Sequence, residues 1–182
     1  KVYTDQVDEP VKEDQDIIKQ EFYKAHPLSL AVDLLGCHDL NSVHVDTLNF
    51  LKGGKRFKLL LEPRYTFKST IATEMQTILA ILNNPNIRIL IYSDSAEKAQ
   101  TRLDNIKGIF EGRRGEKFRE LFGRLETDPN KGGTWNLSQI VVKSRNYSYG
   151  EPTVDTAGIE TSRIGCHFDM IIGDDIVTDK NT

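Results

Sequence analysis

Residues 59–70 read Leu-Leu-Leu-Glu-Pro-Arg-Tyr-Thr-Phe-Lys-Ser-Thr. The apolar run Phe57–Leu61 predicts a buried strand, and apolar residues at helical spacing between positions 71 and 82 predict a helix after it. A lysine and a hydroxyl residue at such a junction are typical of a phosphate-binding P-loop, because the first turn of a helix offers free amides and a positive dipole end. In a P-loop, Lys68 would reach the outer phosphates and Ser69 would bind Mg²⁺.

The strict P-loop motif has glycine at positions 62 and 67, where this chain has Glu62 and Phe67. Glycine lets the backbone approach phosphate closely, so this loop must present its amides through a more restricted backbone. The alternative to a P-loop is an ordinary turn between a strand and a helix, with Lys68 in solvent.

Residues 170–175, Met-Ile-Ile-Gly-Asp-Asp, form the second informative stretch. An apolar strand that ends in two carboxylates is the Walker B arrangement, with aspartate where glutamate is more common at the second position. Asp174 can hold Mg²⁺ through a bound water, and Asp175 can orient an attacking water. Two adjacent acids in a loop are also common without function, so the assignment depends on both stretches together.

The intervening sequence predicts an α/β fold with a mainly parallel sheet flanked by helices. A strand at 87–92 is followed by a helix with apolar residues between 96 and 109, and shorter strands are predicted at 139–143 and 153–159. Ligands of open parallel sheets bind at the carboxyl ends of the strands, where both motifs lie. Asp94 or Ser95 caps the helix, and the segment around them could also support the site or contact nucleic acid.

The composition excludes several classes of protein. The 182 residues suit one domain, with 38% hydrophobic and 28% charged residues. Two cysteines exclude a disulfide scaffold, and no apolar run approaches the length of a membrane span, so no membrane association is expected. A net charge of −3 argues against a protein that coats polyanions generally.

We divide the chain into an N-terminal helical lead-in, residues 1–42, and a P-loop domain, residues 43–182. Residues 1–16 are polar and acidic and predict a loose lead-in. Short helices are predicted from position 17 to Pro27, at 28–35 and at 43–51. Both ends of the chain look trimmed.

The motifs resemble those of the ATPase domain of the large terminase subunit of tailed bacteriophages. The resemblance runs from about Val43 to the end of the chain. It rests on Leu61–Arg64 leading into Lys68–Thr70, on Ser93–Ala99, on Gly165 with Asp169, and on Ile172–Thr178. In that family the P-loop often reads Pro-Arg, three variable residues, and then Lys-Ser or Lys-Thr.

The resemblance implies a RecA-like P-loop NTPase of the additional-strand class. It implies Mg²⁺-dependent ATP hydrolysis that drives double-stranded DNA into a procapsid, in the cytoplasm of the host cell. The implied partners are the DNA, the portal protein, the small terminase subunit and other copies in a homo-oligomeric ring, with a monomer expected in isolation. By the same resemblance, a coupling motif and a nuclease domain are expected to follow the ATPase domain.

The candidate catalytic residues are Asp175, Arg64 and Lys68. The candidate ATP-binding residues are Pro63, Arg64, Tyr65, Thr66, Phe67, Lys68, Ser69, Thr70 and His44, and the candidate Mg²⁺ ligands are Ser69 and Asp174. His44 is included because the helix before the first strand often contributes to the adenine pocket in this class, and Asp46 could serve instead. Arg64 is predicted to act on phosphate in its own subunit or toward a neighbouring one.

Two further readings remain open. A helicase-like, nucleic-acid-dependent ATPase would share both motifs. A degenerate nucleotide-binding module that serves assembly without turnover would explain the missing glycines. Two basic clusters could contact DNA phosphates or could be solvated faces: Lys52, Lys55, Arg56 and Lys58, and Arg113, Arg114, Lys117 and Arg119.

Overall fold

The computed structural model describes residues 12–63 and 65–177. The α-helices are α1 (Lys12–Ala25), α2 (Pro27–Ser29), α3 (Ser42–Lys52), α4 (Gln76–Asn83), α5 (Ala96–Phe110) and α6 (Glu116–Phe122). Two π-helical segments, Leu30–Leu34 and Thr70–Met75, and a 3₁₀ turn, Pro129–Lys131, complete the helical structure. In the described part of the chain, no helix is long and apolar enough to cross a membrane.

Four strands form one mixed sheet in the order β2-β3-β1-β4: β1 (Ile89–Ser93), β2 (Gln139–Ile140), β3 (Val154–Gly158) and β4 (Met170–Asp174). β1 is parallel to both β3 and β4, and β2 is antiparallel to β3. The α/β fold with flanking helices that the sequence predicts is therefore confirmed at this level.

The register of the sheet sets where the strand ends lie. Ser93, the last residue of β1, is the partner of Gly158 in β3 and of Asp174 in β4. Three parallel strands therefore end at the same level, and the loops that follow them share one edge of the sheet.

The core lies between the sheet and helices α4 and α5. Ile78, Ile91, Leu103, Phe110 and Phe118 are completely buried. α5 packs against β1 and β3, and Ser95 is its N-cap, accepting a hydrogen bond from the backbone amide of Lys98. Capping satisfies one of the amides that the first turn leaves unpaired.

The predicted strand at Phe57–Leu61 is wrong, because this segment is not a strand in the structure. Phe57 and Leu61 are each 83% exposed. A strand needs a neighbouring strand for its backbone groups, and none of the described strands pairs with this segment. The apolar run showed that the segment is hydrophobic, but it could not show whether another strand pairs with it.

Other boundaries also differ from the sequence predictions. Residue 12 already belongs to α1, so the helical part begins within the expected loose lead-in, 1–16. β2 covers only two residues of the predicted 139–143 strand, because only Gln139 and Ile140 pair with β3. The helix predicted over 43–51 is confirmed by α3, which ends before Gly53.

Candidate functional site

The loop that carries the P-loop-like sequence is braced by the helix in front of it. The Glu62 carboxylate accepts hydrogen bonds from Thr47 Oγ1 in α3 at 2.5 Å and from Thr66 Oγ1 at 3.1 Å. Thr66 Oγ1 also lies 2.9 Å from the carbonyl oxygen of Pro63. Glu62, which stands where the strict motif has glycine, therefore holds both ends of the loop together.

His44 forms a second brace. Its Nδ1 accepts a hydrogen bond from the backbone amide of Asn41 at 2.8 Å, so the ring proton is on Nε2. Nε2–H then donates to the carbonyl oxygen of Thr66 at 3.1 Å. The imidazole is buried and packs edge-on against the Phe67 ring. Both ring nitrogens are bonded to the backbone, and a contact of His44 with adenine stays a prediction.

Two residues of the loop adopt left-handed backbone conformations. Tyr65 has φ = 68° and Phe67 has φ = 54°. Such conformations cost a non-glycine residue roughly 1–2 kcal/mol. Position 67 is one of the two glycine positions of the strict motif, so the backbone takes a glycine-like shape although the side chain is phenylalanine. Strain of this kind persists only where the surroundings impose it, and it is concentrated at functional sites.

The helix after the loop begins at Lys68, and its first turn closes with a hydrogen bond from Ile71 N to Phe67 O at 2.9 Å. Amides at the start of a helix have no acceptor within that helix and suit an anion. The helix continues through the π-helical segment Thr70–Met75 into α4. Lys68 and Ser69 therefore occupy the positions that phosphate recognition requires.

The two acids at the carboxyl end of β4 contact these two residues directly. Lys68 Nζ lies 2.7 Å from Asp175 Oδ1, and Ser69 Oγ donates to Asp174 Oδ1 at 2.8 Å. Asp174 is 5% exposed, and Asp175 turns out of the strand with φ = 49°. The hydrogen bond from Lys68 holds the pKa of the Asp175 carboxyl below its usual value. The two sequence motifs, about a hundred residues apart, are thus joined by two side-chain contacts.

An open cleft of about 710 Å³ lies over these contacts. Glu62, Pro63 and the segment 65–70 form one side of it, and Lys98, Arg102, Asp175 and Val177 form the other. This volume falls in the usual range for small-molecule sites, roughly 300–1,000 Å³. Of the predicted site residues, Arg64 lies outside the described residues, as does Thr178 of the resemblance.

The cleft suits Mg²⁺ that arrives with a phosphate ligand. The described residues contain no group of three or more His, Cys, Asp or Glu side chains that could hold a metal by themselves. Mg²⁺ that is also bound to phosphates takes only one or two protein oxygens and keeps several waters. Ser69 and Asp174 offer one hydroxyl and one carboxylate at the start of a helix, so the residues fit Mg²⁺–nucleotide.

Sequence reasoning predicted that the segment Ser93–Ala99 could support the site, and Lys98 of that segment lines the cleft, but Arg102 was missed. Arg102 Nε donates to Asp174 Oδ2 at 2.8 Å, and Lys98 pairs with Asp94 at 2.6 Å. Lys98 and Arg102 are four residues apart and share one face of the helix. The cap at Ser95 was a usable signal, because it fixes where α5 begins and hence which face of it meets the end of β4.

Arginines of the second basic cluster form ion pairs within the chain. Arg113 pairs with Glu111 and Asp104, and Arg119 pairs with Glu126. These arginines have intramolecular partners, and their contact with DNA stays a prediction.

No family model matches the chain, and no curated protein matches it. The resemblance of the motifs to terminases therefore stands on the residues alone.

Proposed function

We propose that the chain is the Mg²⁺-dependent ATPase part of a viral DNA-packaging motor, a terminase large subunit with a RecA-like P-loop fold of the additional-strand class. One observation carries the ATPase assignment. The loop pair Lys68–Ser69 and the strand-end pair Asp174–Asp175 contact each other residue by residue beneath one cleft.

Each residue of the site has a separate role that follows from its charge and its position. Lys68 exchanges Asp175 for the β- and γ-phosphates, while the amides of residues 66–70 cradle the phosphate oxygens. Ser69 and Asp174 hold Mg²⁺, which when bound neutralises charge on those oxygens. Asp175, released from Lys68, accepts a hydrogen bond from the attacking water and orients it.

The braced loop supports this proposal. Positioning dominates phosphoryl transfer, so a loop held in shape before the ligand arrives has a direct catalytic use. Glu62 and His44 fix the backbone around Thr66, where the nucleotide would be cradled. The missing glycines are compatible with this function, because Tyr65 and Phe67 already adopt left-handed conformations.

The motor partners are proposed from the motif resemblance. They are double-stranded DNA, the portal protein, the small terminase subunit and further copies of the chain in a ring, in the host cytoplasm. We expect the isolated chain to be a monomer and a poor ATPase, because ring motors complete their sites at subunit interfaces.

The direct test is binding of a fluorescent ATP analogue to the purified chain with Mg²⁺ and with EDTA, followed by phosphate release. We expect Mg²⁺-dependent binding that Lys68→Ala weakens by about tenfold or more, the effect of losing roughly 1.4 kcal/mol of charge pairing. Lys143→Ala is the matched control, because Lys143 is exposed and does not line the cleft.

Equal binding by wild type and Lys68→Ala would contradict the proposal. Binding without any phosphate release, even with DNA and the rest of the motor, would favour the assembly module. Release stimulated by single-stranded nucleic acid rather than by duplex DNA and portal would favour the helicase-like reading.

A further inference from the structure

A polar network runs beneath the cleft from the helix after the loop to the end of β4. Glu74, in the π-helical segment, accepts a hydrogen bond from Asn105 Nδ2 at 2.7 Å. Arg102 Nη1 lies 3.5 Å from the same Glu74 oxygen, while Arg102 Nε bonds Asp174 at 2.8 Å. Arg102 therefore stands between two carboxylates and bonds one of them well and the other weakly.

Both carboxylates are largely withdrawn from water. Glu74 is 7% exposed and Asp174 is 5% exposed, whereas the Arg102 side chain retains 29% exposure and lines the cleft. Burial raises the pKa of the Glu74 carboxyl, although Asn105 and Arg102 act against this shift. Glu74 is thus a buried acid whose charge is incompletely balanced, and it lies within reach of a movable cation.

Both carboxylate oxygens of Asp174 accept a hydrogen bond from a described residue. Its Oδ1 accepts from Ser69 and its Oδ2 accepts from Arg102. A divalent cation that approaches Asp174 meets the guanidinium charge beside it, and like charges at such distances repel strongly in a partly buried site. Release of Arg102 from Asp174 would remove this repulsion, and Glu74 gives the guanidinium a second acceptor nearby.

We propose that Arg102 is a positioning residue that holds the Asp174 carboxylate while the site lacks a divalent cation and releases it toward the cation by shifting its guanidinium to Glu74. This inference rests on the proposed function and names a regulator of Mg²⁺ entry into the same site. Mg²⁺ and the Arg102 guanidinium then compete for the Asp174 carboxylate. The exchange also shifts positive charge toward the helix that follows the phosphate loop.

The competing explanation is that Arg102 has only a structural role. It predicts the opposite change in the Mg²⁺ requirement when Arg102 is removed. If Arg102 only holds Asp174 in place, its removal leaves the metal ligand misplaced, and more Mg²⁺ is needed. If Arg102 competes with the cation, its removal lowers the Mg²⁺ requirement. The Mg²⁺ concentration at half-maximal binding of a fluorescent ATP analogue distinguishes these accounts without any measurement of activity.

The variants are Arg102→Ala, Glu74→Gln and the control Arg124→Ala, which removes an exposed arginine paired with Glu126. We expect Arg102→Ala to lower the half-saturating Mg²⁺ about fivefold, the low end of typical coupling between bound groups. We expect Glu74→Gln to raise it by a similar factor, because the released guanidinium loses its charged acceptor. Arg124→Ala should leave it unchanged.

Thermal unfolding supplies a second readout. Without Mg²⁺ or nucleotide, Arg102→Ala should melt below wild type, because Asp174 keeps its burial but loses its cation. Adding Mg²⁺ and the ATP analogue should raise the melting temperature of Arg102→Ala more than that of wild type.

The outcomes are separable. If wild type shows no Mg²⁺-dependent nucleotide binding, the proposed function fails and this inference fails with it. If wild type binds but Arg102→Ala needs as much Mg²⁺ or more, the inference alone is overturned. If Arg102→Ala does not fold, Glu74→Gln decides, and an unchanged or lower Mg²⁺ requirement in that variant overturns the inference.

Discussion

The two ends of strand β4 carry the same kinds of ion pair and use them differently. At its amino end, Arg88 donates to Asp169 from its backbone amide, Nε and Nη2 at 3.0, 3.0 and 2.8 Å. The same guanidinium lies 3.6 Å from Glu151 and covers the Tyr149 ring at 4.6 Å. One arginine is shared among several partners in a closed cluster.

At the carboxyl end, the ion pairs face an open cleft. Lys68 pairs with Asp175 and Arg102 bonds Asp174, and both cations line the cleft. A ligand that enters the cleft can replace the pairs found there, whereas Arg88 does not line the cleft. Ion pairs occur at both ends of β4, so access from the cleft, rather than the presence of ion pairs, distinguishes the candidate site from the structural cluster.

The largest expected effect tests the division of labour at the carboxyl end. Asp175→Asn should slow single-turnover hydrolysis by about 10²-fold or more, as loss of a water-orienting base does, while nucleotide still binds. Asp174→Asn should instead weaken Mg²⁺-dependent nucleotide binding by more than about tenfold. Rapid-quench kinetics and equilibrium binding measure the two effects, and identical defects in both variants would contradict separate roles.

The opposite end should respond in stability and not in binding. Arg88→Ala should lower the melting temperature clearly and leave the affinity for the ATP analogue unchanged, because the cluster lies away from the cleft residues. A loss of nucleotide affinity in folded Arg88→Ala would break the distinction between the two ends.

The same variant has a predicted pH signature. Arg88 lowers the pKa of Asp169 below its ordinary value of 3.8, and the backbone amide of His167, with a smaller contribution from Arg88, lowers the pKa of Glu151 below 4.5. Acids with depressed folded-state pKa values contribute stability that is present above their ordinary pKa and is lost as the pH falls through the folded value. Acid unfolding of wild type should therefore show this loss below about pH 4, and Arg88→Ala should show a shallower one.

A smaller effect concerns the carboxyl edge itself. A Cβ on Gly158 would lie 2.7 Å from the backbone nitrogen of Ala96, so β3 and the start of α5 could not keep their approach. Gly158→Ala should cost about 1–3 kcal/mol in the free energy of unfolding, as overpacking does. Denaturant titration measures it. Gly150→Ala, with no atom within 4 Å of the added Cβ, should be close to neutral.

The smallest effect concerns the loop backbone. Phe67→Gly and Phe67→Ala both remove the ring, but only glycine relieves φ = 54°, so the glycine variant should be more stable by about 1 kcal/mol. The same pair at exposed Glu120 in α6 should show the reverse order, because glycine weakens a helix by about 1 kcal/mol relative to alanine. Equal stability of the two Phe67 variants would show that the loop is not strained there.

The sequence predicted the helices and strands that are determined by their own residues and near neighbours. Apolar runs identified β1 and β4, Gly53 ends α3, and the Asp-Asp pair after β4 was recognised from its position. The segment 57–61 was assigned wrongly, because an apolar run does not reveal whether a neighbouring strand exists.

The contacts that build the candidate site are the part that sequence could not supply. Arg102 lies 72 positions from Asp174, and only the parallel register of β1 and β4 brings them together. The hydrogen bonds of His44 could not be predicted from sequence either, because they involve backbone atoms whose location depends on the whole loop.

The braces on the loop have a consequence for how the molecule opens. His44 caps the start of α3 and holds the Thr66 carbonyl, while Thr47, one turn further along α3, bonds Glu62. The loop and the start of this helix share these hydrogen bonds, so we predict that they open as one cooperative unit. In hydrogen exchange, the amides of α3 that need this unit to open should show the same opening free energy as the loop amides. Asn41→Ala, which removes the side-chain cap of α3 at a residue that does not line the cleft, should accelerate them together.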